Sequence, residues 1–310
     1  MSIDAVVAFF LLGIICQLSG AKLAFSDGLY KSISMFLMIA IGLKGGIALQ
    51  QHLDIALLKM SMFVILFGAI LPLLAYPMLR YFGDINKINA GAIAAHYGSV
   101  SVATYAVAIA LLEAKNIQYE AYFPLFVVLL EMPAIFTGLI LAKGNLSAVN
   151  VSFIKKELVA NQSILLMAGS LIIGYFGGQS VEKLSPFFIE LFAGVLALFL
   201  LKMGLVAGKQ LSSLRQNSLF LICFAILMPL LGGLAGTGLG IFLGFTAGGV
   251  ALMAILGASA SYIAVPAAMK QSLPEANAGM SITASLGITF PFNVMLGVPF
   301  FIALGQYLVQ

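Results

Sequence analysis

The second half of this chain repeats the first, within a sequence apolar enough for lipid almost throughout. Gly98-Ser99-Val100-Ser101 recurs as Gly257-Ala258-Ser259-Ala260-Ser261. Each is followed by a short polar stretch, Glu113 to Glu120 and Gln271 to Asn277, and then by a proline within the next apolar run. Glu131-Met132-Pro133 is answered by Phe290-Pro291-Phe292-Asn293, with 158 positions between the two prolines. Upstream, Gly42-Leu43-Lys44-Gly45-Gly46 matches Gly204-Leu205-Val206-Ala207-Gly208 at an offset of 162, and Gly13 matches Gly174 at 161. A near-constant offset of half the chain means duplication. In membrane proteins, duplicated halves with small-residue breaks in matching helices point to secondary transport.

Composition agrees with a lipid bilayer as the solvent. Hydrophobic residues make up 62% of the chain and charged residues 8%, against roughly a quarter charged in soluble domains. The net charge of +4 is spread between apolar segments rather than gathered in a patch, so no nucleic-acid partner is expected. Cys16 and Cys223 both sit in apolar runs and read as packed thiols, with no disulfide and no metal. Met1 to Asp4 lacks the basic region of a cleavable signal, and the apolar run that follows fits a first span.

Apolar stretches of spanning length predict ten transmembrane helices. In the first repeat (1–143) they are 4–20, 28–50, 55–82, 88–113 and 118–142. In the second (158–310) they are 161–178, 185–209, 217–243, 246–270 and 276–308, with 144–157 as a short cytoplasmic linker. Continuous rather than alternating hydrophobicity argues against barrel strands, so the fold class is an all-α integral membrane protein. Five helices per repeat is an odd number, which inverts the second repeat relative to the first. Charge agrees with that count. One side collects Lys22, Lys31, Arg80, Lys87, Lys143, Lys155, Lys156, Lys209, Arg215 and Lys270, while the other keeps Lys44, Lys59, Lys115 and Lys183. The positive-inside rule then places both termini outside the cytoplasm of a cell inner (plasma) membrane.

The fourth and ninth spans carry the strongest break signals. The fourth contains Gly98, Ser99, Ser101 and Thr104; the ninth contains Ser259, Ser261 and Tyr262 and runs on to Pro266. Glycine lets the backbone leave the helix, and serine or threonine caps the freed amides. Two such helices meeting at mid-depth from opposite sides direct two helix N-termini at one spot, which suits a small anion. These seven residues are therefore the candidate substrate site. The competing reading is close helix packing through small residues.

Glu131 lies well inside the fifth span, where a carboxylate needs a cation or a proton as partner. Pro133 frees a carbonyl on the preceding turn. Hard oxygen ligands of this kind suit sodium, and the second repeat offers Thr289 and Asn293 at the matching place. Glu131, Thr289 and Asn293 are the candidate sodium ligands, with sodium as a coupling ion and no cofactor expected. The structural alternative pairs Glu131 with Lys202 or Lys44. Lys44 reads as snorkelling, Glu113, Lys115 and Glu120 as a solvated loop, and His96 as a packed polar side chain. No Walker loop or paired-histidine motif is present, so no enzymatic activity is expected.

Several runs resemble the sodium-dependent bicarbonate transporter (SbtA-type) family. They are Ala258 to Ala264, Leu273-Pro274-Glu275-Ala276-Asn277, Gly287 to Asn293, Gly42 to Gly46, and Leu111-Leu112-Glu113 with Tyr119-Glu120-Ala121. The resemblance covers essentially the whole chain. It implies a five-plus-five inverted fold with a core and a gate domain, a homotrimer, and an anion bound where the broken helices cross with sodium nearby. It further implies sodium-coupled symport of bicarbonate or a similar small anion. Cyanobacterial members carry Ser-Gly-Ser-Thr where this chain has Ser101-Val102-Ala103-Thr104, and an acidic residue where it has Lys202. Their linker is longer than 144–157, which bears on any PII-like cytoplasmic regulator. Alternatives on the same fold are a small carboxylate carrier, a channel and a non-transporting sensor.

Overall fold

The computed structural model describes residues 5–21, 23, 25–145, 161–213 and 218–309, and among these every regular element is helical. The first half of the chain holds α1 (Ala5–Leu18), α2 (Asp27–His52), α3 (Ile55–Pro77), α4 (Lys87–His96), α5 (Val102–Ala114), α6 (Phe123–Leu130) and α7 (Pro133–Lys143). The second holds α8 (Gln162–Phe176), α9 (Phe192–Ser213), α10 (Leu219–Phe242), α11 (Ala247–Ala258), α12 (Ala264–Ser272) and α13 (Ala278–Leu308). Among the described residues six helical segments are long and apolar enough to cross a bilayer: Asp27–His52, Ile55–Phe82, Phe123–Lys143, Phe192–Gln210, Leu219–Phe242 and Ala278–Leu308. Four shorter apolar helices accompany them, α1, α5, α8 and α11. Of the predicted linker 144–157, all but Gly144 and Asn145 lies outside the described residues, as do Lys22, Lys155, Lys156 and Arg215 of the charge pattern.

Polar side chains set the helix starts. Asp54 caps α3 by accepting the Leu57 amide at 2.7 Å, Asn86 caps α4 through Asn89 at 2.9 Å, and Asn277 opens α13 through Met280 at 3.2 Å. Each cap satisfies an amide that would otherwise have no acceptor. Gly144 ends α7 in the left-handed region, at φ 73°, where a side chain would be strained.

The helices pack in two groups. In one, α1 lies along α9 and α2 along α8, with α2 also touching α9. In the other, α4 packs on α7, α3 on α7, and α10 and α13 on α11. Glycine lets the first group close to backbone contact. A Cβ on Gly13 would lie 2.9 Å from the Gly204 Cα, and one on Gly46 would lie 2.8 Å from the Gly174 Cα. Helix association in lipid relies on such close van der Waals approach, because burial from lipid into protein gains little. Outward faces are correspondingly oily. Leu58, Met62, Leu66, Ile70 and Leu73 of α3 are all exposed. Cys223 is exposed on α10 rather than packed, a correction to the sequence reading, while Cys16 is half-buried. An apolar thiol at a lipid-facing position meets no polar penalty, and composition alone does not separate that face from a buried one.

The last helix is not a plain α-helix. Two π-helical stretches, Thr283–Thr289 and Asn293–Gly297, flank a short α segment containing Pro291. Wider turns of this kind leave carbonyls without their usual partners and recur at functional sites.

Candidate functional site

The fourth and ninth predicted spans are both interrupted. Helix α4 stops at His96 and α5 begins at Val102; α11 stops at Ala258 and α12 begins at Ala264. The two breaks are bonded to each other. The Ser101 amide donates to Ser259 Oγ at 3.1 Å, and the Ser261 amide donates to the His96 carbonyl at 2.9 Å. His96 Nδ1 lies 2.5 Å from the Ser261 carbonyl. A carbonyl can only accept, so Nδ1 carries the proton and His96 belongs to this crossing, beyond the merely packed role expected of it. Ser101 also caps α5, its Oγ accepting the Thr104 amide at 3.2 Å. The first amides of α5, on Val102 and Ala103, have no acceptor within their own helix.

Beside the crossing is a small cavity of about 10 Å3, lined by Ser101 and Val102 from the start of α5, and by Ser261, Tyr262, Ile263 and Ala264 leading into α12. Glu131 and Ser163 complete its polar lining. That volume is near the least that admits one water. Ile263 makes no side-chain cap on α12, so two helix starts with unspent amides border one cavity. The Tyr262 hydroxyl is directed toward Ser101 but makes no hydrogen bond of normal geometry.

Glu131 sits in the gap between α6 and α7 and is 1% exposed. Ser99 Oγ lies 3.3 Å from both its carbonyl oxygen and its Oε2. Neither lysine offered as a structural partner reaches it. Lys44 pairs with Glu113, and Lys202 donates to the Phe25 carbonyl at 3.2 Å with its ammonium 5.6 Å from the Phe25 ring centre. A carboxylate in this position still wants a cation or a proton.

The other predicted residues fall in neighbouring but separate settings. Thr289 donates to the Ala225 carbonyl at 2.6 Å and faces the Tyr97 hydroxyl at 2.9 Å. Asn293 donates to the Ala258 carbonyl at 2.7 Å, and its Oδ1 is buried without a partner. No hydrogen bond joins either of them to Glu131 among the described residues, and neither lines the small cavity. Gly98 abuts α3 and α7, where a Cβ would meet the Gly68 carbonyl and Pro72 Cδ at 2.6 Å. Thr104 is buried in the first turn of α5. Among the described residues no group of three or more His, Cys, Asp and Glu is placed to hold a metal ion.

Two groups taken for solvated or snorkelling residues do more than that. Glu113 forms an ion pair with Lys44, and Tyr119 donates to the same carboxylate at 2.8 Å. Glu120 accepts the Thr246 amide at 2.7 Å and so sits on the N-terminus of α11, the helix that ends at the second break. The signal lay in the sequence as opposite charges at the ends of apolar runs, but nothing in their spacing pairs position 44 with 113.

The chain matches the Na+-dependent bicarbonate transporter superfamily over residues 5–306. It belongs to that superfamily and is a multi-pass membrane protein. No curated protein matches it.

Proposed function

We propose that this protein is a secondary transporter that carries bicarbonate, or a similarly small anion, into the cytoplasm together with sodium. The observation that carries the reading is the crossing: two helix starts, three serines and a buried carboxylate converge within one chain's interior. In this reading Ser101, Ser259, Ser261 and Tyr262 with the amides of α5 and α12 receive the anion, and Ser99 and Glu131 serve sodium. Thr289 and Asn293 stay candidate sodium ligands outside the small cavity. Opposite charges side by side lower the electrostatic cost of desolvating each. An anion entering a negative interior works against about 2.3 kcal/mol per 100 mV, and one sodium ion returns that amount. A one-to-one cycle is therefore electroneutral and runs on the sodium gradient.

The inverted ten-helix architecture is part of the proposal. Reciprocal packing supports it: Gly13 of α1 nests on Gly204 of α9, and Gly174 of α8 nests on Gly46 of α2. If position 13 answers 174, then 46 answers 204, an offset of 158 that equals the spacing of Pro133 and Pro291. The better partner of Gly204 is thus Gly46 rather than Gly42. Alternating access is also part of the proposal, and the lining of the cavity supports it. Ser163 belongs to the α1, α2, α8, α9 group, whereas Ser101, Glu131 and Ser261 belong to the other. Sliding one group past the other opens or closes the space between them.

The test is uptake of labelled bicarbonate by vesicles containing only this protein, with and without an inward sodium gradient. Accumulation that needs sodium and disappears in Ser101→Leu supports the reading, and sodium-independent flux sinks it. Val102 gives one reason to weigh a small carboxylate carrier, since its apolar side chain lines the cavity where the cyanobacterial pattern has glycine. In that case formate or acetate inhibits and is itself accumulated, while bicarbonate is not.

A further inference from the structure

A second and larger cavity, of about 380 Å3, lies between the two helix groups. One wall belongs to the α1, α2, α8, α9 group. There Phe36 of α2 stacks on Phe188 with 5.3 Å between ring centres, which holds the π-helical turn Pro186–Glu190 against α2. That turn gives the cavity Phe188 and Glu190, and Phe192 follows at the start of α9. The facing wall is α5, with Tyr105, Ile109, Ala110 and Glu113. Two carboxylates, Glu113 and Glu190, therefore share the lining with one ammonium, that of Lys44. Lys44 is already engaged, because it pairs with Glu113, and the Tyr119 hydroxyl donates to the same carboxylate at 2.8 Å. Glu190 makes no hydrogen bond or ion pair among the described residues. The cavity is left with one net negative charge, on an unpaired carboxylate beside aromatic rings.

We propose that this cavity is a second binding site, separate from the crossing, for a small organic monocation with an apolar body. Its ammonium donates to Glu190, and its body covers Ile109, Ala110 and Phe188. Cavities that enclose small ligands run from about 300 to 1,000 Å3, with mostly apolar walls and a few polar groups that fix orientation. This one has both properties. Aromatic rings around the unpaired carboxylate favour a cation over a neutral molecule of the same shape. Bicarbonate carries the same sign of charge as Glu190, and sodium has no apolar surface to cover the walls. Neither is the occupant. Because Glu190 and Ile109 belong to different helix groups, an occupant bridges the groups and holds them at one separation. Sodium-driven uptake then falls in a manner that added bicarbonate does not relieve. This last consequence rests on the transport reading, whereas binding itself does not.

The probe is radiolabelled phenethylamine, equilibrated by dialysis against the purified full chain in neutral detergent, with empty micelles as the blank. Labelled 2-phenylethanol, neutral and of the same shape, is the control. Saturable binding of the amine above the blank is expected, weakened about fivefold by Glu190→Gln. Ala110→Phe, which fills the cavity, should abolish it. Glu190 is exposed, so its replacement tests the charge without disturbing the core. The proposal is overturned by the absence of saturable amine binding, by equal binding of phenylethanol, or by unchanged affinity in Glu190→Gln. Amine binding without sodium-driven bicarbonate uptake would remove the transport reading and leave this site standing; uptake without amine binding would do the reverse.

Discussion

Replacing Ser259 with alanine tests the crossing at a single atom. Ser259 Oγ does two things: it accepts the Ser101 amide at 3.1 Å and donates to the Leu256 carbonyl at 3.1 Å. The second loss is tolerable, because Leu256 also accepts the Ser259 amide at 3.3 Å. The first is not. Ser101 is 4% exposed, and in the variant its amide is left buried without an acceptor. Such an orphan costs about 1–3 kcal/mol, roughly a 5- to 150-fold change in the equilibrium between bonded and unbonded breaks. The half-saturating bicarbonate concentration for sodium-driven vesicle uptake should rise within that range, and the melting temperature should fall with it. Ser259→Thr keeps the oxygen and should recover most of the affinity. An alanine variant with both quantities unchanged, or a threonine variant no better than alanine, would refute the idea that the bonded breaks organise the site.

Glu131→Gln removes the charge but keeps the acceptor that faces Ser99, and should raise the half-saturating sodium concentration about tenfold or more; an unaltered sodium curve assigns the residue to structure. Gly46→Leu and Gly204→Leu should each prevent stable assembly, since the added side chain meets the Leu171 or the Phe10 carbonyl; size-exclusion profiles identical to the parent would contradict the backbone contact. Glu120→Gln should lower stability by about 0.3–1 kcal/mol by taking a charge from the N-terminus of α11, read as a small drop in melting temperature that high salt erases. A drop that salt leaves untouched would assign Glu120 a different role.

Much of the architecture was readable because lipid leaves few options. Among the described residues each predicted span is largely helical, six helical segments being long and apolar enough to cross a bilayer, and the two breaks were marked by the Gly and Ser residues that an unwound segment requires. Glu131 stood out because charge is rare in such runs. The remainder depended on facts that spacing does not carry. Lys44 and Glu113 are 69 positions apart, and either one alone reads as a surface charge. Thr289 and Asn293 were grouped with Glu131 through the repeat, but Thr289 bonds Ala225 and Tyr97 while Asn293 bonds Ala258, partners that a matching position does not reveal. The π-helical turns of α13 were also hidden. The run from Ala278 to Leu308 reads as one apolar helix, and its widened turns are a property of backbone around Pro291 rather than of composition. Gly98, read as part of a ligand loop, also abuts α3 and α7, because glycine serves tight packing as readily as unwinding.

The reciprocal bonding of the two breaks also bears on how the protein is made. The amide of Ser101 needs an oxygen from Ser259, and the carbonyl of His96 needs the amide of Ser261. During synthesis the first break is in place long before the second has been translated. Until then its backbone groups sit in the membrane with their final partners missing, where each unsatisfied group is expensive. The first half therefore cannot complete its own interior, and the segment from Ser259 to Ser261 closes it. A ribosome that stalls before Ser259 would leave behind a half with an open polar seam, a ready mark for quality-control proteolysis.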